Sequence, residues 1–419
     1  MDFRHLAVAL LIASAAILCP TGRLLAEETL TLERVQRLAL ESQPLMEAQT
    51  AEIESRRERA IVAGQLPDPE LQLAVNELPI DTADAWSFRR DSDTDVMVGL
   101  AQAYPRAAKR RLRRLREEAR TAEAVQERRN LARVIQRDAG LAFLEVWLAH
   151  REAELTQSQL TQAILQQDAE QIRFRTGKGA QAELLATTVE SALLRDRVAE
   201  YRQMLAHRRL ELSRWIGDAA QEAVPSALSM PAAPSRDQLL ARLPEHPSLL
   251  ARAYLEDSAR AGLDLARQEY KPDFRVELGY GYRPEFSEML TLRVSLGLPL
   301  FTRNRQDREA AAARHDLMRT SADRADALRD LTAQASLRHH DARSFEERLA
   351  SFRRDVVPAA RSRVDSAEAS YRGGSGSFAE VLQARRSLLE LEMLALTLQA
   401  GAVRNRIELE YFINAGDQQ

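Results

Sequence analysis

Two periodicities alternate along this chain. Leu71, Leu73 and Val75 interleave with Gln72, Ala74 and Asn76, and Val96, Val98 and Leu100 repeat the alternation. A period of two predicts strands with unlike faces. The second half holds a clearer pair. Phe274, Val276, Leu278, Tyr280 and Tyr282 oppose Arg275, Glu277, Gly279 and Gly281. Every second residue from Leu290 to Leu300 is apolar, against Thr291, Arg293, Ser295, Gly297 and Pro299. Elsewhere the period is helical. One helix is predicted from Thr31 to about Gly64, where Pro67-Asp68-Pro69 stops it, and another from about Asp237 to Tyr270, with Pro244-Glu245-His246-Pro247 near its start. Lys109 to about Arg175 has no Pro and a single Gly, which predicts one helix about 100 Å long at 1.5 Å per residue. A second long helix is predicted from about Asn304 to Tyr371.

Each long helix ends in a Gly-rich reversal, and the two reversals are copies. Phe174-Arg175-Thr176-Gly177-Lys178-Gly179-Ala180 with Glu183 corresponds to Tyr371-Arg372-Gly373-Gly374-Ser375-Gly376-Ser377 with Glu380. The register then holds to Trp215-Ile216-Gly217 and Phe412-Ile413-Asn414. A period of roughly 200 residues is too long for a solenoid and marks a duplicated half-protein. Down the returning stretches run coiled-coil seams, Leu184, Thr187, Ser191, Leu194, Val198, Tyr201, Leu205, Arg208, Leu212, Trp215 and Val381, Ala384, Leu388, Leu391, Ala395, Leu398, Ala402, Leu409, Phe412, the latter interrupted by Asn405. Each return is about half as long as its partner, so the Thr31 and Asp237 helices are expected to stack end to end with the returns. The expected division is a signal peptide over 1–26, a first repeat over 27–222, a Pro-rich linker over 223–236, a second repeat over 237–416 and a tail over 417–419.

Charge narrows the function classes. With 59 Lys and Arg against 62 Asp and Glu, no nucleic-acid footprint is expected. Arg4 and His5, the apolar run Leu6 to Cys19 and Leu24-Leu25-Ala26 read as an export signal. The single Cys lies inside it, with Leu18 where a lipoprotein signal has a small residue. No later stretch offers about twenty apolar residues, so any membrane crossing falls to the strands. Four strands cannot close a barrel, and open edges are not tolerated in lipid, so several chains would have to pool them. No catalytic constellation, thiolate or His/carboxylate cluster at ligand spacing is present, so neither an enzyme nor a bound cofactor or metal is expected. His339-His340 does not converge, since sequence neighbours diverge on a helix.

The ordered set of signal, two helix–strand–strand–hairpin repeats and Gly-rich reversals resembles the TolC family of outer membrane efflux proteins. Gln65-Leu66-Pro67-Asp68-Pro69-Glu70-Leu71, Asn76-Glu77-Leu78-Pro79, Gln102-Ala103-Tyr104-Pro105 and Lys109-Arg110 resemble its heavy-metal efflux branch. The resemblance implies a mainly α fold with a small β part, a homotrimer pooling four strands per protomer into a twelve-stranded barrel, and long coiled-coil hairpins forming a periplasmic helical tunnel. It implies partners too: a periplasmic adaptor, an inner-membrane transporter of RND type, and outer membrane lipid. Substrates of such ducts include metal cations, drugs and secreted proteins. A periplasmic coiled-coil adaptor is the competing class, disfavoured by two separated strand pairs. By the same resemblance Thr176, Gly177, Lys178 and Gly179, with Gly373, Gly374, Ser375 and Gly376, form adaptor-docking tips. Tyr371, Glu380 and Gln383 are candidates for a gate at the tunnel's inner end. All five of the tip glycines are expected to supply left-handed backbone. Gly376 and Gln383 depart from the family's gate, which has an arginine and a second acid there.

Overall fold

A computed structural model describes residues 29–81, 83–228 and 234–413. The leader, Cys19, the middle of the linker, Asn414 and the tail lie outside the described residues. The elements are α1 (Leu32–Ser42), α2 (Pro44–Ala63), β1 (Glu70–Asn76), β2 (Asp95–Tyr104), α3 (Ala107–Arg175), α4 (Gln181–Ile216), α5 (Arg236–Arg242), α6 (Pro247–Gln268), β3 (Phe274–Tyr282), β4 (Met289–Leu296), α7 (Gln306–Ser351), α8 (Val357–Arg372) and α9 (Phe378–Phe412). The fold is mainly α with a small sheet, as the periodicities predict.

Prolines account for where the helices depart from expectation. The predicted Thr31–Gly64 helix is two helices, because Pro44 at the first position of α2 has no N–H to continue α1 and Gln43 is extended (φ −89°, ψ 114°). The Asp237–Tyr270 helix breaks likewise at His246, which caps α6 ahead of Pro247. The second long helix does run from Gln306 to Arg372, but a π turn at Phe352–Val356 ends two residues before Pro358. Widening that turn absorbs the hydrogen bond Pro358 cannot donate. Pairing of β4 ends at Leu296 rather than Leu300; the Gly297 amide still reaches the Asp273 carbonyl at 3.2 Å, but Pro299 has no donor and the Leu300 amide turns back to the Leu298 carbonyl at 3.0 Å.

The helices stack as the lengths demand. At 69 residues α3 spans about 104 Å, against about 54 Å for the 36-residue α4. Where α4 ends, α1 and α2 take over. Ser42 Oγ donates to the Trp215 carbonyl at 2.6 Å and Gln43 to that of Arg214 at 3.2 Å. The main core lies at this joint, with Leu30, Val35 and Ala39 packed on Ile135, Ala139, Phe143 and Leu212. Trp147 is buried against α9, and its indole N–H donates to the Pro225 carbonyl at 3.0 Å, which holds the start of the linker to the helical wall. The second repeat has its own joint, where Leu239, Leu243 and Leu249 meet Leu331, Ala335, Leu409 and Phe412.

Gly401 marks a close helix crossing, α9 against α7. A Cβ there would lie 2.5 Å from the Phe345 ring. Gly401→Ala is therefore expected to be destabilising. Overpacking costs about 1–3 kcal/mol, which exceeds the gain of about 1 kcal/mol from better helix propensity. Thermal melts of the purified protein would show a lower Tm; an unchanged or raised Tm would mean that Phe345 swings aside freely.

Candidate functional site: the sheet and the hairpin tips

The four strands form one antiparallel sheet in the order β1-β2-β3-β4. Its register aligns like with like. Leu71, Leu100, Leu278 and Leu292 make one cross-strand row, and Leu73, Val98, Tyr280 and Leu290 the next. Every member of both rows is at least 45% exposed, so this face is a continuous uncovered apolar surface. The opposite face is polar or small: Arg293 pairs with Glu277 at 2.9 Å and Arg275 with Glu70 at 2.5 Å. Gly279 and Gly281 leave room there for the side chains of Met97 and Asp95 from β2. Aromatic residues bracket the apolar rows, with Tyr104 and Phe274 stacked 5.2 Å apart at one end and Tyr282, Trp86 and Phe286 exposed at the other. From Phe274 to Tyr282 is about 27 Å along the strand at 3.4 Å per residue. Among the described residues no helix is long and apolar enough to cross a membrane.

The sheet is fixed to the helices through Lys109. This buried ammonium donates to Glu269 at 2.9 Å and Asp273 at 2.8 Å, and Asp273 also accepts the Arg106 amide at 2.9 Å. One carboxylate thus joins the exit of β2 to the entry of β3.

At the far end of the helices the two reversals share one construction. Gly177 N–H donates to Phe174 O at 3.0 Å and Lys178 N–H to Arg173 O at 2.8 Å; Gly374 and Ser375 repeat this with Tyr371 O at 3.1 Å and Ser370 O at 3.0 Å. Both are Schellman closures. Only Gly177 (φ 71°) and Gly374 (φ 76°) adopt left-handed backbone at the tips. That corrects the expectation for Gly179, Gly373 and Gly376. Gly179 and Gly376 serve close approach instead: a Cβ would lie 3.0 Å from the Phe174 nitrogen at one tip and 2.9 Å from Ser370 Cβ at the other. Gly373 ends α8 in ordinary helical conformation (φ −78°). Thr176 Oγ1 donates back to the carbonyls of Ile172 and Arg173, both at 3.0 Å, while Lys178 and Ser375 are exposed.

The three gate candidates separate. Glu380 is exposed and completes a capping box, its carboxylate accepting the Ser377 amide while its own amide donates to Ser377 Oγ, both at 3.3 Å. Gln383 is exposed one turn further on. Tyr371 instead reaches the other hairpin. Its hydroxyl lies 3.1 Å from Glu170 Oε1 and 3.4 Å from Glu183 Oε2 and accepts from Arg173, whose guanidinium also covers the ring at 4.8 Å. Burial and these two carboxylates push the Tyr371 hydroxyl up to about 12, so it stays a protonated donor. A second tie lies above it, where Arg386 of α9 pairs with Glu190 of α4. Glu170, Arg173 and Glu183 are absent from the sequence-level candidates. The duplication held one signal for them, since Glu183 occupies the first-repeat position of Glu380.

Residues 239–415, within the second repeat, match the family model for outer membrane efflux proteins. Over 393 residues the chain is 26% identical to the cobalt-zinc-cadmium resistance protein CzcC of Cupriavidus metallidurans, covering 90% of each protein. The fold superposes on crystal structures of CusC (TM-score 0.76, 15% identity, 92% of both chains) and of the outer membrane protein VceC from Vibrio cholerae (TM-score 0.74, 15% identity, 91% of this chain and 95% of that one). A second repeat that matches the family model, a first repeat built to the same plan and a shared fold along nearly the whole length make the chain similar to outer membrane efflux proteins.

Proposed function

We propose that the chain is the outer membrane exit duct of a tripartite efflux pump, working as a homotrimer with a periplasmic adaptor and an RND-type inner-membrane transporter, and passing metal cations. The observation that carries this reading is the sheet. Its apolar rows are uncovered, and β1 and β4 each leave a ladder edge unpaired within the described residues. Lipid accepts the apolar face but not the edges, so three copies contribute twelve strands to a closed cylinder. The helices then extend from the barrel as a periplasmic tunnel. The cargo is proposed from the CzcC-like sequence, a protein named for cobalt, zinc and cadmium resistance. Among the described residues no group of three or more His, Cys, Asp or Glu side chains is placed to hold a metal ion. A conduit that must release its cargo is compatible with that. The reading is tested by incorporating the purified protein into planar bilayers and running unheated samples on gels: discrete conductance steps and a heat-dissociable trimer are expected, and a monomer that never enters detergent or bilayer would overturn it.

The tips are proposed as the adaptor-docking surface. Gly374→Val places a β-branched residue at φ 76°, where left-handed backbone costs about 1–2 kcal/mol. Loss of adaptor crosslinking is the expected result, and normal crosslinking would count against docking there. Glu380, brought to the axis three times by symmetry, is proposed as a cation-attracting ring. Glu380→Ala is expected to change cation block or single-channel conductance, since the first-turn charge it also removes is worth only about 0.3–1 kcal/mol to the helix. Identical channel records would leave Glu380 as a helix cap alone. Tyr371, with Glu170, Arg173 and Glu183, is proposed to hold the two hairpins together in the closed state.

A further inference from the structure

Below the last paired row of the sheet, where Tyr104, Phe274 and Leu296 align, β4 continues as exposed apolar chain. Leu298, Leu300 and Phe301 are 60%, 72% and 89% exposed. Arg303 and Arg305 come next, both exposed, and neither guanidinium has an ion pair or hydrogen bond among the described residues. Arg106 follows Tyr104-Pro105 on the neighbouring connection, exposed, with its Nε donating to the Pro272 carbonyl at 2.8 Å. That uses one of its five N–H donors. Lys271, just before β3, is exposed as well. Three acids of the adjoining segments are engaged elsewhere: Asp273 and Glu269 hold Lys109, and Asp307 accepts the Tyr270 hydroxyl at 2.6 Å.

Scattered surface arginines carry no information, but these adjoin an apolar band and an aromatic row. There the stems lie along acyl chains while the charged heads stay at headgroup level. A guanidinium also presents a planar fork that matches phosphate oxygens two at a time. We propose that Arg303 and Arg305, assisted by Arg106 and Lys271, bind the headgroup of an anionic phospholipid in the leaflet facing the helical tunnel, with its acyl chains against Leu298, Leu300 and Phe301. The site rests on the barrel reading above. It makes the protein's lower rim selective for lipid charge and fixes its depth in the membrane.

The test uses the purified trimer in detergent, supplied with phosphatidylglycerol or with phosphatidylcholine of the same chains, and native mass spectrometry to count retained lipid. Preferential retention of phosphatidylglycerol is expected. In the double variant R303Q/R305Q that preference should fall about fivefold for each guanidinium removed, with phosphatidylcholine retention unchanged. Equal retention of the two lipids by the native protein, or undiminished phosphatidylglycerol binding by a correctly trimeric variant, would overturn the site. If the double variant does not assemble, R303Q alone carries the test: a loss of about fivefold supports the site and no loss refutes it. A native protein that never inserts into bilayers would remove the barrel and this site together, whereas insertion without charge preference would remove only the site.

Discussion

Leu278→Arg is expected to eliminate the membrane-inserted trimer while Thr291→Arg, one residue off in register, is tolerated. Leu278 is the third member of the row Leu71, Leu100, Leu278, Leu292 and projects from the uncovered apolar face. Thr291 pairs with Gly279 and points to the opposite, polar face. An arginine on the lipid face near the bilayer midplane costs about 2–4 kcal/mol. In the proposed trimer threefold symmetry repeats that penalty in every subunit, for roughly 6–12 kcal/mol per trimer, comparable with the whole stability of a typical domain. Heat-dissociable trimer recovered from the membrane fraction is the readout. Equal recovery of the two variants would mean that the apolar face does not meet lipid.

Acidification is expected to weaken the joint of the second repeat through His246. The imidazole is fully buried, with Nδ1 2.8 Å from Ser248 Oγ and Nε2 2.9 Å from the Tyr411 carbonyl, and it packs edge-on to Tyr411 at 4.8 Å. The second contact requires Nε2 to carry the proton of the neutral ring. Burial, opposed by the Tyr411 carbonyl and reinforced by the Arg133 charge, lowers its pKa from 6.5 to about 4. The folded state therefore binds the second proton less readily than the unfolded chain. Stability from this group is complete above about pH 6.5, declines as the pH falls, and is lost by about pH 4, a difference of about 3 kcal/mol. His246→Gln cannot be charged, so its melting temperature should fall less between pH 7 and pH 4.5 than that of the native protein. Parallel pH profiles would show that His246 titrates normally.

The strands and hairpins were legible because both rest on repetition. Alternation in Leu290 to Leu296 survives any tertiary context that leaves one face uncovered, and the seams Leu184 to Trp215 and Val381 to Phe412 are buried or half-buried throughout the fold. Helix breaks at Pro44 and Pro247 were less legible. Proline is favoured in the first turn of a helix, so one near a predicted start does not by itself reveal that a separate helix precedes it. The tip glycines divided for a reason that composition does not encode. A left-handed dihedral and a close backbone approach both call for a missing Cβ, and only coordinates tell Gly177 from Gly179. The partners of Tyr371 were hidden by distance along the chain. Glu170 and Glu183 belong to the other repeat and meet Tyr371 only when two hairpins pack side by side.

The π turn at Phe352–Val356 breaks the equivalence of the two arms. One extra residue in a helical turn rotates everything beyond it by about 100°. Consequently the stretch from Val357 to Arg372 is shifted in angular phase relative to the sheet, whereas α3 runs from the sheet to its tip without such a reset. Two arms built to one plan thereby present different azimuths at their ends, so the pair of tips has a direction that the repeated sequence alone does not give it.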